Sequence, residues 1–461
     1  MRHMIAIVAA LAFFVSGASA VFGAPPERYN FIVMMADDLG AAELACYGHK
    51  DHRTPNLDRL AQQGIRFETA YSTPICTSTR VMIMTGRNGF RTGYFNFMER
   101  TWSPKPGSPE HDVGAKTTFA DLLKQAGYAT GVAGKWQLTG EGENLVRDTG
   151  FDDYRIWAYK HNLPPGVTHT GAWENEKGQK TARYWHPSIV QNGKYMPTKE
   201  TDYGPDLFAD FIIDFARRHK DEPFVAYYPM ALTHSPWDPT PDLASPGKKT
   251  SGGLKNNVEY MDHVVGRIVK AIDSLGLREK TIIIFTGDNG TQGNGKGQVT
   301  ELGARVPFIA SCPGTIPQGK VSGELVSLTD VLPTLVEFAG AKMPSDYVID
   351  GVSLAPTLRG GTAEHRPWLF SYLGDGRMLR DKRWLLEGNG KFFDCGPRRD
   401  GTGYKDVTNS KDPEVKAARA RFEQILKDLP GPHGHPGLKQ PDPNAEPKKQ
   451  NKKKNKAKAA A

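Results

Sequence analysis

Residues 31–40 read FIVMMADDLG and residues 281–290 read TIIIFTGDNG. In each, a continuous apolar run stops at a polar cluster: Phe31 to Met35 ends in Asp37 and Asp38, and Ile282 to Phe285 ends in Asp288 and Asn289. A strand with one wet face alternates polar and apolar residues. Unbroken runs of this length suit strands buried on both faces, as in a parallel sheet flanked by helices. Two further runs share the pattern: YATGVAGKWQL (128–138) places Lys135 just past a short strand, and PFVAYYPMALTHSPW (223–237) places His234 past another. Helical stretches lie between, TPNLDRLAQQG (54–64), TTFADLLKQAG (117–127) and NNVEYMDHVVGRIVKAIDSLG (256–276), each closed by a glycine that fits a helix C-cap. The fold class is α/β.

Open sheets of this class carry their sites at the carboxyl ends of strands, so Asp37, Asp38, Lys135, His234, Asp288 and Asn289 are expected on one rim. Three carboxylates and an amide offer oxygen donors and no soft ligand, a set for Ca2+ or Mg2+ rather than zinc. Crowded without a cation, the carboxylates would raise one another's pKa. Lysine beside such a metal points to an anionic substrate, because the two together neutralise charge on a transferring sulfuryl or phosphoryl group.

The stretch PICTSTRVMIMTGR (74–87) adds a thiol. Cys76 precedes an expected helix whose first amides favour negative charge, and Arg80 follows one turn on. Only Cys46, Cys312 and Cys395 accompany it, too few to staple 461 residues. A reactive or modified thiol at 76 therefore stands beside the plainer alternative of a small core cysteine.

The formal net charge of +8 suggests nucleic acid until it is located. Residues 431–461 hold eight lysines against Asp442 and Glu446, and Arg2 adds one more positive charge, which leaves the body between nearly neutral. This Pro-, Lys- and Asn-rich tail has almost nothing to bury and is expected to be disordered, and no nucleic-acid partner is expected. At the other end, Arg2 and His3 precede MIAIVAALAFFVSG and then ASA ending at Ala20, the order of a secretory signal. The apolar run falls short of the roughly 20 residues that span a bilayer, so export to the periplasm or medium without stable membrane insertion is expected.

With these residues assembled, residues 28–425 resemble the type I sulfatases of the alkaline phosphatase superfamily. The family signature, Cys-x-Pro-Ser-Arg followed by Thr-Gly-Arg, stands here as Cys76-Thr77-Ser78-Thr79-Arg80 with Thr85-Gly86-Arg87. The resemblance implies that a formylglycine-generating or equivalent maturation enzyme oxidises Cys76 to Cα-formylglycine, whose hydrated aldehyde is the nucleophile. It implies one Ca2+ held by Asp37, Asp38, Asp288 and Asn289 with the modified residue 76. Arg80 would orient the formylglycine, Lys135 and Lys296 would clamp sulfate oxygens, and His234 would act as an acid beside the leaving oxygen. The substrate implied is a sulfate ester, and export favours a sulfated carbohydrate. Trp157, Tyr159, Trp173, Tyr184, Trp185 and Tyr195 are candidates for a sugar-binding rim, with loop packing as the alternative.

The implied architecture is a large mixed, mainly parallel sheet sandwiched by helices over residues 28–365, then a small C-terminal antiparallel sheet plus helix over 366–430. Segments 1–20 and 431–461 are the expected signal and tail. Three positions depart from the family. Ser78 replaces the Pro or Ala that maturation enzymes read, Gln137 stands where a histidine contacts the formylglycine diol and helps expel sulfate, and Leu302 replaces a glycine. Two other readings stay open at this stage, a phosphodiester or phosphonate monoester hydrolase on the same sheet and a catalytically silent binder of sulfated glycan.

Overall fold

A computed structural model describes residues 28–96, 113–138, 144–158, 173–174, 180–362, 364–398 and 401–430. The signal-like segment and the basic tail lie outside the described residues. The main sheet draws on β1 (Asn30–Ala36), β2 (Ile65–Tyr71), β3 (Ala129–Gly134) and β4 (Asp153–Trp157). A separate ribbon pairs β5 (Trp173–Glu174) with β6 (Lys180–Thr181), after which the main sheet resumes with β7 (Ile189–Gln191), β8 (Lys194–Met196), β9 (Phe224–Pro229), β10 (Thr281–Gly287), β11 (Arg305–Ser311) and β12 (Lys320–Ser327). Its ten strands lie in the order β12-β2-β11-β10-β1-β9-β3-β4-β7-β8. From β10 through β1, β9 and β3 to β4 every pairing is parallel, and the reversed strands are β11 and β7.

The unbroken apolar runs are explained by two cores, one on each face. In β1, Phe31, Val33 and Met35 join the core formed with the helices Cys76–Thr85, Phe119–Gln125 and Val331–Ala339. Ile32, Met34 and Ala36 join the other, with the helices Pro55–Gln62, Gly204–Arg218 and Leu254–Ser274. β10 divides the same way, Ile282 and Ile284 against Ile283 and Phe285. No face of either strand meets water, so no position selects for a polar residue until the strand ends.

Two of the three helix stops behave as expected: Gly127 (φ +82°) and Gly276 (φ +69°) take the left-handed conformation that favours glycine. Gly64 does not. It is required for close approach, since a Cβ there would stand 2.1 Å from the Ala310 carbonyl oxygen on β11.

After the sheet, β13 (Leu369–Leu373), β14 (Gly376–Arg380), β15 (Trp384–Leu386), β16 (Phe392–Asp394) and β17 (Lys405–Asp406) form an antiparallel meander, covered by the helix Pro413–Asp428. No helix among the described residues is long and apolar enough to cross a membrane.

Candidate active site

Register carries the site residues to one rim. Ala36 of β1 lies opposite Gly287 of β10, so Asp37 and Asp288 leave their strands side by side. The backbone ladder continues beyond the strands: Asp288 N–H donates to the Ala36 carbonyl (2.9 Å), Asp37 N–H to that of Leu232 (2.8 Å), and Lys135 N–H to that of Pro229 (2.7 Å). The Lys135 turn needs Gly134, whose φ is +120° and whose Cβ would stand 2.1 Å from the Pro229 oxygen. Asp38 (φ +58°) and Gln137 (φ +50°) hold left-handed backbone without being glycine, local strain of the kind that concentrates at functional sites.

Six of the expected residues are sealed from water and interlocked. Lys135 Nζ donates to Asp37 Oδ2 at 2.7 Å. Arg80 Nη2 donates to Asp288 Oδ2 at 2.8 Å and stands 3.5 Å from Asp37 Oδ1, while its Nη1 donates to the Lys135 carbonyl at 2.7 Å. Asn289 Nδ2 donates to Asp38 Oδ1 at 2.9 Å. Lys296 Nζ donates to Asp38 Oδ2 at 2.7 Å and lies 3.0 Å from His234 Nε2, itself 3.7 Å from Asp38 Oδ2. His234 and Lys296 are the residues of this set that keep appreciable exposure, with 20% and 14% of their side chains accessible. They mark the side of the cluster that is open to solvent.

Cys76 is the first residue of the helix Cys76–Thr85 and is 1% exposed. Ligand atoms of Cys76, Asp37 and Asp288 lie within 4.8 Å of one another. The turn before it is braced by the Thr73 and Thr79 hydroxyls (2.8 Å apart), and Gly297 N–H donates to the Pro74 carbonyl at 2.8 Å, tying the Lys296 loop to the Cys76 turn. Ser78 is buried in the helix, its hydroxyl 3.4 Å from the Asn96 carbonyl. Gln137 is buried at the end of the Lys135 turn, and its Oε1 has no hydrogen-bond partner among the described residues.

The electrostatics divide the carboxylates. Burial pushes Asp37 up, but Lys135 and the other cations outweigh it and hold this carboxyl well below the usual range. Burial and then the Asp37 charge raise both Asp38 and Asp288, the latter to about 7. That is the mutual repulsion expected of crowded carboxylates, and a divalent cation relieves it. Asp37 Oδ1 and Asn289 Oδ1 are buried acceptors without a hydrogen-bond partner among the described residues, so the donor set fits a hard cation. Burial also pushes the Cys76 thiol up to about 11 despite Lys135. The helix-start amides therefore do not make it a thiolate, and as encoded it is a poor nucleophile at neutral pH. Burial holds the His234 ring well below its usual pKa, which favours the neutral imidazole.

A second cluster, Glu43, His49 and His52, does not suit a metal. His49 Nδ1 accepts from the backbone N–H groups of Asp51 (3.2 Å) and His52 (2.9 Å), so the neutral ring carries its hydrogen on Nε2 and offers no lone pair there. Glu43 instead braces the loop that follows Asp288 and Asn289 through Thr291 Oγ1 (2.9 Å), which in turn accepts from Gly40 N–H (3.1 Å).

Among the candidate rim aromatics, Trp157 and Tyr184 belong to the packing: both are buried, and the Tyr184 hydroxyl donates to the Ala231 (2.9 Å) and His234 (2.5 Å) carbonyls. Trp185 and Tyr195 are half-buried, while Tyr159 and the side chain of Trp173 lie outside the described residues. One residue near the chemistry was not expected. Arg183 reaches the Ser235 carbonyl and stands 2.9 Å from His234 Nδ1. Only its place inside the aromatic stretch TARYWHP (181–187) hints at it.

A profile of the sulfatase family matches residues 29–341. Human arylsulfatase D is 31% identical over 450 residues, covering 79% of this chain and 74% of that protein. Dog N-acetylgalactosamine-6-sulfatase is also 31% identical, over 77% of this chain and 70% of its own length. The solved structure of Ps i-CgsB in complex with k-i-k-neocarrahexaose superposes with a TM-score of 0.71 at 25% identity, over 88% of this chain and 94% of that one.

Proposed function

Since the chain belongs to the sulfatase family and is a sulfuric ester hydrolase, we propose that it cleaves the sulfate ester of a carbohydrate through a formylglycine made from Cys76, beside a bound Ca2+. The observation that carries the reading is the convergence of Cys76 with Asp37 and Asp288 under Arg80, at the helix start and sheet rim. A thiol held protonated in such a place serves poorly as a nucleophile in its own right. When formed, the hydrated aldehyde supplies an oxygen nucleophile; Asp37, Asp38, Asp288 and Asn289 would hold the cation, which supplies positive charge to the reacting sulfate.

The chain's own cations do the rest. Arg80, fixed by Asp288 and the Lys135 carbonyl, sets the charge on the nucleophile side. Lys135 and Lys296 present ammonium groups to the sulfate oxygens, and His234 stands with Lys296 where a leaving oxygen enters. Gln137 hydrogen-bonds but does not titrate near neutral pH, so it orients a neighbouring hydroxyl without acting as its base.

The carbohydrate substrate is supported by the name of the N-acetylgalactosamine-6-sulfatase relative and by the oligosaccharide in the Ps i-CgsB complex. Export is supported by residues 1–20. The test is turnover of an aryl sulfate beside a phosphonate monoester, with N-acetylgalactosamine 6-sulfate as the sugar ester. Preferential sulfate release is expected, and faster phosphonate cleavage or binding without turnover contradicts the proposal.

A further inference from the structure

We propose that Glu43 is a positioning residue for the cation site: acting through the Thr291 hydroxyl, it fixes the spacing of the two segments that carry the oxygen donors. The inference rests on the reading of those donors as a Ca2+ site.

The donors sit in pairs, Asp37 and Asp38 after β1, and Asp288 and Asn289 after β10. Beyond the last rung of the β1–β10 ladder, side chains join the two segments. Asp38 N–H donates to Asp288 Oδ1 (2.9 Å), Asn289 Nδ2 donates to Asp38 Oδ1 (2.9 Å), and Gly40 N–H donates to Thr291 Oγ1 (3.1 Å). The first two links occupy oxygens of the donor set itself. The third does not, so it holds the segments together while Asp38 and Asp288 turn their oxygens to a cation. Gly40 and Thr291 each stand two residues past a donor pair, close enough for their separation to set that of the donors.

The direction of this link leads to Glu43. A backbone N–H only donates, so Thr291 Oγ1 accepts from Gly40, and the hydroxyl's single hydrogen is left for Glu43 Oε1 at 2.9 Å. Glu43 is itself fixed. It ends the short helical turn Ala41–Glu43, its N–H donates to the Gly40 carbonyl (3.2 Å), and its own carbonyl oxygen lies 2.9 Å from His52 Nδ1. Its second carboxylate oxygen faces the same ring at 3.4 Å, and that ring stacks on His49 with centroids 3.7 Å apart. Glu43 and Thr291 are 7% and 2% exposed, so water is a poor substitute for either partner.

The Thr291 backbone extends the effect. Its carbonyl accepts from the N–H groups of Asn294 (2.9 Å) and Lys296 (3.2 Å), and so starts the turn that returns Lys296 to Asp38. A displaced Thr291 is therefore felt both at the donor pairs and at the ammonium group beside them.

The experiment uses the full chain, stripped by a chelator and titrated with Ca2+ alone by calorimetry. It compares wild type, Glu43→Ala, Glu43→Gln, Thr291→Val and the Glu43→Ala/Thr291→Val double variant, with Asp288→Ala identifying the rim site. Kd is expected to rise about tenfold in Glu43→Ala and in Thr291→Val, the low end of the range for groups that orient metal ligands. Glutamine keeps an oxygen acceptor for the hydroxyl, so Glu43→Gln is expected within about threefold of wild type. The double variant is expected to match the single ones, because both remove one linkage. A wild-type Kd in Glu43→Ala and Thr291→Val, with only the calcium-free Tm lowered, makes the pair merely structural and overturns the inference. So does a double variant that loses about a hundredfold, the product of independent effects, or a loss in Glu43→Gln equal to that in Glu43→Ala. If Glu43→Ala does not fold, Thr291→Val and Glu43→Gln carry the test, and failure of all the variants to fold overturns the inference as well. Each of these results leaves the cation reading standing. A wild type without calcium binding that Asp288→Ala removes overturns that reading and this inference together.

Discussion

Where the C-terminal sheet meets the main sheet, the Glu301 carboxylate accepts from the hydroxyls of Tyr71 and Tyr404 and lies 3.4 Å from the Arg380 guanidinium, which also reaches Cys395 Sγ (3.2 Å) and the Arg398 carbonyl (3.1 Å). At the rim of the main sheet, still more deeply buried carboxylates meet Arg80, Lys135 and Lys296, yet Asp37 Oδ1 and Asn289 Oδ1 keep no hydrogen-bond partner among the described residues. In the junction both carboxylate oxygens are supplied, and among the described residues Arg380 Nε, a donor, is left without a partner. A cation requires acceptors. The junction is therefore closed by its own chemistry and serves to hold parts together, while the rim leaves acceptors that a cation would satisfy.

The two regions touch through the Lys296–Glu301 loop. Glu301 N–H donates to Glu387 Oε1 (2.9 Å), and Gly388 N–H donates to the Val299 carbonyl (2.8 Å), so the C-terminal sheet steadies the loop that brings Lys296 to the rim.

Breaking the rim has the largest expected effect. Asp288→Ala removes the partner of Arg80 and an acceptor of the cation set, so turnover is abolished and the calcium-dependent rise in Tm disappears; in the wild type that rise follows RT ln(1 + [L]/Kd), about 2.7 kcal/mol at a hundredfold excess over Kd. Calorimetry with and without calcium checks both. Breaking the junction separates stability from metal binding: Glu301→Ala strands Arg380 and is expected to cost about 3–5 kcal/mol in urea unfolding, with the calcium increment retained. Loss of that increment would place the cation elsewhere.

Gln137→His sharpens the account of the rim. A titratable base at the end of the Lys135 turn is expected to raise steady-state turnover by on the order of tenfold, below the 10²–10⁴ typical of a well-placed base. A slower histidine variant would make Gln137 part of a different constellation. A further effect is one of pH. With calcium chelated, burial and Asp37 keep the native Asp288 pKa near 7, whereas an unfolded Asp titrates at about 3.9. Between these values the native state holds a proton that the unfolded state lacks, so stability falls as pH rises from about 4 to about 7. Calcium is expected to flatten that slope in thermal melts.

The sequence pattern made Asp37, Asp38, Lys135, His234, Asp288 and Asn289 legible because each ends or follows a run buried on both faces, a signal contained within about ten residues. Parallel register then does the assembling, as Ala36 opposite Gly287 shows. Arg183 and the Glu301–Arg380 pair stayed hidden because their partners are 51 and 79 residues away and no local periodicity marks them. Gly64 was misread for a related reason: a glycine after a helix looks like a cap, and only the neighbouring strand reveals that its missing side chain makes room. Trp157 and Tyr184 are aromatic in a loop-rich stretch, yet burial assigns them to support rather than to sugar contact.

If Cys76 is the precursor of the nucleophile, the mass of one peptide shows it. Trypsin releases residues 67–80, FETAYSTPICTSTR, from protein made in its native host. The expected peptide has lost the thiol sulfur and gained an aldehyde oxygen, is reactive toward a hydrazide probe and increases in proportion to sulfatase activity across preparations. A peptide found only as free thiol or disulfide, from protein that nevertheless hydrolyses sulfate esters, would contradict it.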